Sequence, residues 1–549
     1  MMLASSSAWA QAVPSSVAPG AIERGLQPAP PELKAGQIIV PPPHDSAAPD
    51  NAANIHFVLK GVTIAGATAL PADKLATTYD HLIGQSISLA DLYQAANAIT
   101  ALYAKAGYAI SFGVVPAQTI RPDGQVTIAV VEGYVAEIHV NGAPPRIARV
   151  IRGYGVKIMA SRPLKTAALE RFLLLANELP GAAVKSVFNR IEDGARGATQ
   201  IDLNVSFKPV QASAEVDNRG SRALGPWRAI ADVTLDSPLG LGDGLTLRGL
   251  QTLGRNTLRY DAASWSVPID RDGTTLDLTV SNSASKPGTP QLSALAFGGT
   301  GWIGSAELEH VLLRSPTDRL AISVTGTAKW LDTTILSGPN SRDRIYTLDT
   351  AVSYASRVGS GETSFVLRLT KGLGLFDATT STSLLRSRVS GSGRYVDVQF
   401  SVARLQDLGG DFQLNLAAYG QLASGGLLAS EQCGYGGAVF GRAFDDYEIA
   451  GDHCLMGSAE LRYSPAWGRG DGMTTQIYTF SDTGIVWQAT TPLPGEVRAS
   501  TGSSVGLGLR SRLPSNISGS VEVDQPLGRV VAQEGNQDCR VFFSLSKAF

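Results

Sequence analysis

The chain has 549 residues, 44% of them hydrophobic and 17% charged, with a formal net charge of −2. That length exceeds one ordinary domain, and the near-neutral balance removes any global electrostatic case for a nucleic-acid partner. No apolar run approaches the ~18 residues of a membrane helix, so an inner-membrane helical protein is not expected. A barrel stays open, because its strands alternate and dilute the apolar signal. The three cysteines form no C-x-x-C pair and the six histidines are scattered, so no metal site and no cofactor are expected. Ala8-Trp9-Ala10 is a small-x-small cleavage pattern, and residues 1–12 read as the remnant of a signal peptide whose start lies further upstream. Residues 13–53 are rich in Pro, Ala and Ser. Their P-A-P-P-E-L and V-P-P-P-H runs break helix and sheet alike and predict a linker, with one short candidate helix at Ala21 to Leu26.

From His56 the pattern changes. Phe57-Val58-Leu59 and Val62-Thr63-Ile64 read as strand with a turn at Gly61. Ser88 stands as an N-cap with Asp91 three residues on. Leu92, Ala96, Ile99 and Tyr103 follow at helical spacing, and Gly107 ends the run. Strands at 110–115 and 126–131 complete a first unit, 54–134. Its order of strand, helix, strand, strand, with A-G-Y, D-G-Q-V and V-E-G-Y, resembles a polypeptide-transport-associated (POTRA) domain. A second unit, 135–208, opens at Ile138-His139-Val140. It carries the helical stripe Leu169, Phe172, Leu173, Ala176 and Leu179, and closes on strands at 184–190 and 199–207. A single α+β domain is the alternative to two such units in tandem.

After Pro209 the helical period vanishes. Alternating segments recur at 211–217, 245–251, 276–280, 320–327, 346–354, 365–369, 395–402, 412–418, 458–462, 476–480, 505–509 and 541–545, separated by Gly, Asp, Asn and Ser. About 340 residues at ~10 per strand plus turns predict on the order of 16 strands. Val541, Phe543 and Leu545 alternate up to the terminal Phe549, an ending that resembles an outer-membrane insertion signal.

Two segments in this region belong together. F-G-R-A-F-D-D-Y-E-I-A-G-D-H-C contains Arg442 and Phe444 in a glycine-flanked, hairpin-like stretch. F-S-D-T-G follows with Phe480, Asp482 and Gly484 in an alternating strand. A lone loop arginine is ordinarily solvated, but one inside a pore needs a fixed acid, because an unpaired and partly desolvated charge is costly. These segments closely resemble the two signatures of two-partner secretion transporters, the hemolysin-activator and filamentous-haemagglutinin-transporter family. Ala443 departs from that family's Arg-Gly-Phe, and Ala resists positive φ. Gly451-Asp452 matches the family's Gly-Asp at the hairpin's return. D-N-R-G-S at 217–221, G-L-G-D at 240–243 and Q-P-L at 525–527 resemble further family segments. Cys433 and Cys454 bracket the hairpin. A disulfide there would contribute about 3 kcal/mol, with unpaired buried thiols as the alternative.

The resemblance implies a Gram-negative outer-membrane protein, with α+β POTRA domains in the periplasm followed by a transmembrane antiparallel β-barrel at 209–549. The hairpin around 433–454 would fold into the pore. It also implies a plug helix near the N-terminus, for which Ala21 to Leu26 is short. The implied function is export of one large, unfolded, β-helical TpsA-type exoprotein, with its activation as a further implied role. Further implied partners are outer-membrane lipid, lipopolysaccharide and, during biogenesis, the barrel assembly machinery. An outer-membrane assembly factor is the runner-up and a passive porin or adhesin barrel a third class. No catalysis is expected: Gly502 to Gly506 fits G-x-S-x-G, but its flanks read as strand, whereas a nucleophile elbow needs strand, turn and helix.

Overall fold

The computed structural model describes residues 17, 19–25, 46–120, 123–191, 194–254, 257–470, 472–492 and 497–549. The expected signal-peptide remnant and most of the Pro-rich linker lie outside the described residues. In the first unit Ser88 caps the helix Leu89–Lys105. Its Oγ accepts from the Asp91 amide at 3.2 Å, and the Asp91 carboxylate accepts from the Ser88 amide at 2.8 Å. Two orphan amides of the first turn are thereby satisfied. The helix buries Leu92, Ala96, Ile99 and Tyr103 in a core with Leu59, Val126 and Ile128. Gly61–Ala65 runs parallel to Gln125–Val131, a pairing that requires a crossover, which the helix supplies. Phe112–Val114 adds the third strand. One expectation is corrected. The break expected at Gly61 falls at Leu59-Lys60, and Gly61 instead opens the strand Gly61–Ala65; His56–Val58 pairs with Ser86–Ser88, and the amides of Lys60 and Gly61 donate to the Gly124 carbonyl.

The second unit places Ala198–Phe207 between a parallel Tyr134–Asn141 and an antiparallel Ala182–Arg190. Two helices cover the sheet. Thr166–Asn177 buries the expected stripe, including Leu169 and Leu173, whereas Pro145–Met159 carries no helix signal that the sequence reading used. Gly155 on that helix lets it approach the sheet: a Cβ there would lie 2.7 Å from Ile138 Cδ1.

Beyond Val210, sixteen antiparallel strands among the described residues close into a barrel. Arg469–Gly470 is an added rung on one turn, and the last strand, Arg540–Ala548, pairs with the first, Val210–Asp217. Closure removes every free edge. The twelve expected segments fall on barrel strands. Arg228–Asp236, Leu258–Pro268 and Gly298–Arg314 are the strands the reading lacked, and Ile517–Leu527, the penultimate strand, ends on the Q-P-L segment that resembles the family's penultimate strand region. Successive side chains alternate between lumen and exterior. On Gly338–Val358, Asp343, Ile345, Thr347 and Asp349 are buried inward, and Leu348, Val352 and Tyr354 are exposed outward.

The second unit docks on the turns at one end of the barrel. Arg171 donates to the carbonyls of Asp272 and Val311, both at 2.6 Å, and Lys157 pairs with Asp272 at 2.7 Å. Arg314 from the barrel donates to Glu178 at 2.6 Å, and Leu179 and Val150 pack against Gly242. The second unit is thus fixed at one mouth, and the long loops 374–395 and 424–452 emerge at the other.

Candidate functional site

The lumen is filled by two segments of the same chain. The first is the helix Pro19–Gly25. Pro19 lies against Gly299 and Gly301 on the inward face, and Gly20 lies against Ser430. Arg24 donates to the Gln432 carbonyl at 2.6 Å and pairs with Glu431 at 3.4 Å. Glu431 is buried and also accepts from Lys329 Nζ at 2.8 Å and Tyr395 Oη at 2.7 Å. The short helix therefore stands inside the barrel, which the sequence by itself left undecided.

The second segment is the loop 424–452. Its stem is a short hairpin of Cys433–Tyr435 with Ile449–Gly451. Cys433 and Cys454 are joined by a disulfide with Cα atoms 6.3 Å apart. The segment turns at Gly441 with φ +79°, while Ala443 stays out of the left-handed region. The departure from Gly at 443 is therefore without strain, and Ala443 is fully buried.

The turn delivers Arg442 to the barrel wall. Its amide and Nε donate to Asp482 Oδ2, both at 3.1 Å, and a terminal nitrogen donates to Oδ1 at 3.2 Å. The other side of the guanidinium donates to Glu460 Oε2 at 2.6 Å and Ser458 Oγ at 3.1 Å. Its carbon lies 3.6 Å from the centre of the Phe480 ring, a cation–π contact. Asp482 is fully buried, and Arg442 nearly so. Ser458 and Ser504 stand directly across from Asp482 on its two neighbouring strands, so strand register assembles the acceptor site.

Gly484 has a steric reason. The Tyr435 ring lies over it and over Gly502, and a Cβ at either would fall within 2.4 to 2.5 Å of ring carbons. Gly506 likewise makes room for Phe480. Phe444 packs on Tyr435, with ring centroids 5.9 Å apart, in a cluster with Ile449, Met456, Val486 and Val531. At the hairpin's return, Gly451 passes close to the Trp487 backbone. Asp452 is fully buried and gathers three loops. It accepts from Arg388 at 2.6 Å, from the Leu427 amide at 2.9 Å and from the Ala489 amide at 3.0 Å. The residues of the terminal pattern lie apart from this site, on the closing strand. Phe543 meets Trp227 outside the barrel at 4.7 Å, and Leu545 and Phe549 are exposed.

Sequence reasoning missed Glu460, Ser458, Arg388 and Glu431. The first two sit at alternate positions of a segment read as strand, so an acid on an inward position was the available signal. Arg388 and Glu431 lie in loops, where spacing carries no directional information.

The haemolysin secretion/activation protein family (ShlB/FhaC/HecB) matches residues 197–509, and the ShlB-type POTRA domain matches residues 57–133. The heme/hemopexin transporter protein HuxB of Haemophilus influenzae is 28% identical over 254 residues, covering 46% of this chain and 44% of that protein. The matched stretch is thus less than half that relative's length. The outer membrane transporter CdiB of Escherichia coli is 24% identical over 463 residues, 79% of this chain and 73% of that protein. The solved CdiB structure from Escherichia coli superposes with a TM-score of 0.74 at 20% identity, covering 96% of this chain and 95% of that one. This likeness establishes the shared fold. With the family matched over more than half of its residues, the chain belongs to the haemolysin secretion/activation protein family, ShlB/FhaC/HecB.

Proposed function

We propose that this chain is an export pore of two-partner secretion. The barrel stands in the Gram-negative outer membrane with the N-terminal units on its periplasmic side. Those units capture an unfolded partner exoprotein, their sheet edges offering backbone groups for β-augmentation. The barrel then passes it outward. One observation carries the reading: the lumen of a sixteen-strand barrel is occupied by two segments of its own chain, each anchored through a buried arginine, Arg24 on Glu431 and Arg442 on Asp482 and Glu460, beside small apolar clusters around Ile22 and Phe444. The polar anchors can be exchanged for water, so such segments can leave and return. A porin needs no such plugs. The finer reading is a large β-helical exoprotein as cargo, with outer-membrane lipid around the barrel and the assembly machinery needed for insertion. It assigns no catalytic step: Gly502 to Gly506 lies within the strand Ala499–Leu513, and Ser504 turns its hydroxyl to Asp482.

The test is co-expression with a candidate large exoprotein, assayed in the culture medium. Deleting residues 54–208 should leave a barrel in the outer membrane and remove at least nine-tenths of secretion. Wild-type export by the truncated barrel would refute the assigned capture role.

A further inference from the structure

The outward face of the barrel is uneven at its extracellular end. Trp302 stands directly across from Trp330, and Trp330 directly across from Arg344, on the three strands Gly298–Arg314, Asp318–Ile335 and Gly338–Val358. Leu331, Asp343 and Ile345 are buried inward, so the alternate residues Trp330, Arg342, Arg344 and Tyr346 point outward. Tyr346 meets Trp330 edge-on at 6.1 Å, and Phe376 of the loop 374–395 meets Tyr346 at 5.2 Å. An outward aromatic row of this kind marks the boundary between hydrocarbon and headgroups.

Cations gather along this row. Arg342 and Arg344 stand beyond Tyr346 on the same strand. Lys371, across from Leu348 on the outward face, is long enough to snorkel to that level. Tyr395 turns its hydroxyl into the lumen to Glu431, so Arg394 points the other way. Arg386 follows Leu385, whose carbonyl accepts from the Arg342 amide. Two carboxylates stand among them. Asp332 holds Arg342 at 3.1 Å and Arg344 at 3.0 Å, and Asp377 accepts from Tyr346 Oη at 2.8 Å. Arg386 bonds only the carbonyls of Ser383 and Val389. Among the described residues, Lys371, Arg386 and Arg394 form no ion pair with a carboxylate. A chain of net charge −2 thus carries a local positive excess on one outward face. By contrast, Arg259, also outward at this end, is matched by Asp261 at 2.7 Å on its own strand.

We infer that this face docks a phosphorylated, multiply acylated glycolipid of the outer leaflet. Its phosphates would meet Lys371, Arg386 and Arg394, and its acyl chains would run down past Trp302 and Trp330. The inference rests on the reading of the chain as an outer-membrane barrel. Guanidinium groups favour phosphate by bidentate hydrogen bonding. A small soluble anion would satisfy the cations but leave Phe376, 88% exposed, and Trp302, 55% exposed, uncovered. A lipid covers both.

The test uses the full chain in nonionic detergent, titrated separately with lipopolysaccharide, with phosphatidylglycerol and with inorganic phosphate, and read by native mass spectrometry. Wild type should bind lipopolysaccharide at least about tenfold more tightly than phosphatidylglycerol. The variant K371Q/R386Q/R394Q should lose roughly tenfold or more, because each basic group at an anionic lipid surface contributes about 1 kcal/mol. R259Q should stay within about twofold of wild type. Arg342 and Arg344 are left in place because they hold Asp332. Barrel folding is read independently, from the heat-dependent gel shift. In a heat-shifting protein, unchanged binding by the triple variant or equal affinity for phosphatidylglycerol overturns the lipid site alone. Loss of the shift in wild type overturns the barrel reading.

Discussion

Arg442 holds five hydrogen bonds and lies over an aromatic ring in a nearly dry position. Removing it strands Asp482, fully buried, and breaking a shielded pair from one side costs about 3–5 kcal/mol. Arg442→Ala and Asp482→Ala should each impair secretion while the barrel still inserts, and each should raise protease access to the loop 424–452. The double variant should do no more harm than the worse single, because either change alone abolishes the interaction. Defects that sum fully would show the two side chains acting independently. Arg442 and Asp482 were legible as a pair because they sit in recognisable segments. Glu460 was not, since an inward acid becomes a partner only when the register places it beside the guanidinium.

At the scale of elements, two structures lend themselves to test. The extracellular loops are tied through Asp452, and among the described residues Arg388 is its one charged partner. Arg388→Ala leaves a buried carboxylate with amides alone and should loosen the clip by about 3–5 kcal/mol. Planar-bilayer recording should then show more frequent openings than in wild type, and unchanged traces would mean the clip does not hold the pore closed. In the first periplasmic unit, Glu132 accepts from the amides of Thr68 and Ala69, both at 2.7 Å, from the Thr68 hydroxyl and from Tyr103 Oη at 2.7 Å. Burial pushes its carboxyl up, but these hydrogen bonds outweigh it and hold it below the usual glutamate range. A depressed folded-state pKa gives stability that is full above the unfolded value near 4.3 and is lost as pH falls through the lower, folded one. Denaturant unfolding of this unit within the full chain should therefore weaken below about pH 4, and Glu132→Gln should flatten that dependence. An identical acid slope in both proteins would remove Glu132 as its source. Tyr103→Phe should cost about 1.5–3 kcal/mol, the usual worth of a hydrogen bond to a charged group.

For the whole molecule, sixteen paired strands with no free edge resist detergent until heated. The protein should migrate faster on a gel when unheated and shift on boiling, and identical migration would contradict a closed barrel. The sequence determined the order of parts: two α+β units, then strands alternating to the last residue, because helical and strand periods are written in neighbouring residues. It also determined the identity of Arg442 and Asp482. It did not determine Gly298–Arg314 as a strand, whose Gly and charged residues blur the alternation, and it marked Ile517–Leu527 only at its Q-P-L end. Nor was Pro145–Met159 read as a helix: Ile147, Val150, Ile151, Tyr154 and Ile158 are buried at helical spacing, but Gly153 and Gly155 lower its propensity. Only the tertiary structure decided that Pro19–Gly25 stands in the lumen, that Cys433 bonds Cys454, that Glu460 shares Arg442 and that Arg388 reaches Asp452. Each of these joins residues that touch in space but are far apart along the chain and unrelated by local period. The closure of the barrel and the path of its loops set those distances, and no window along the chain contains them.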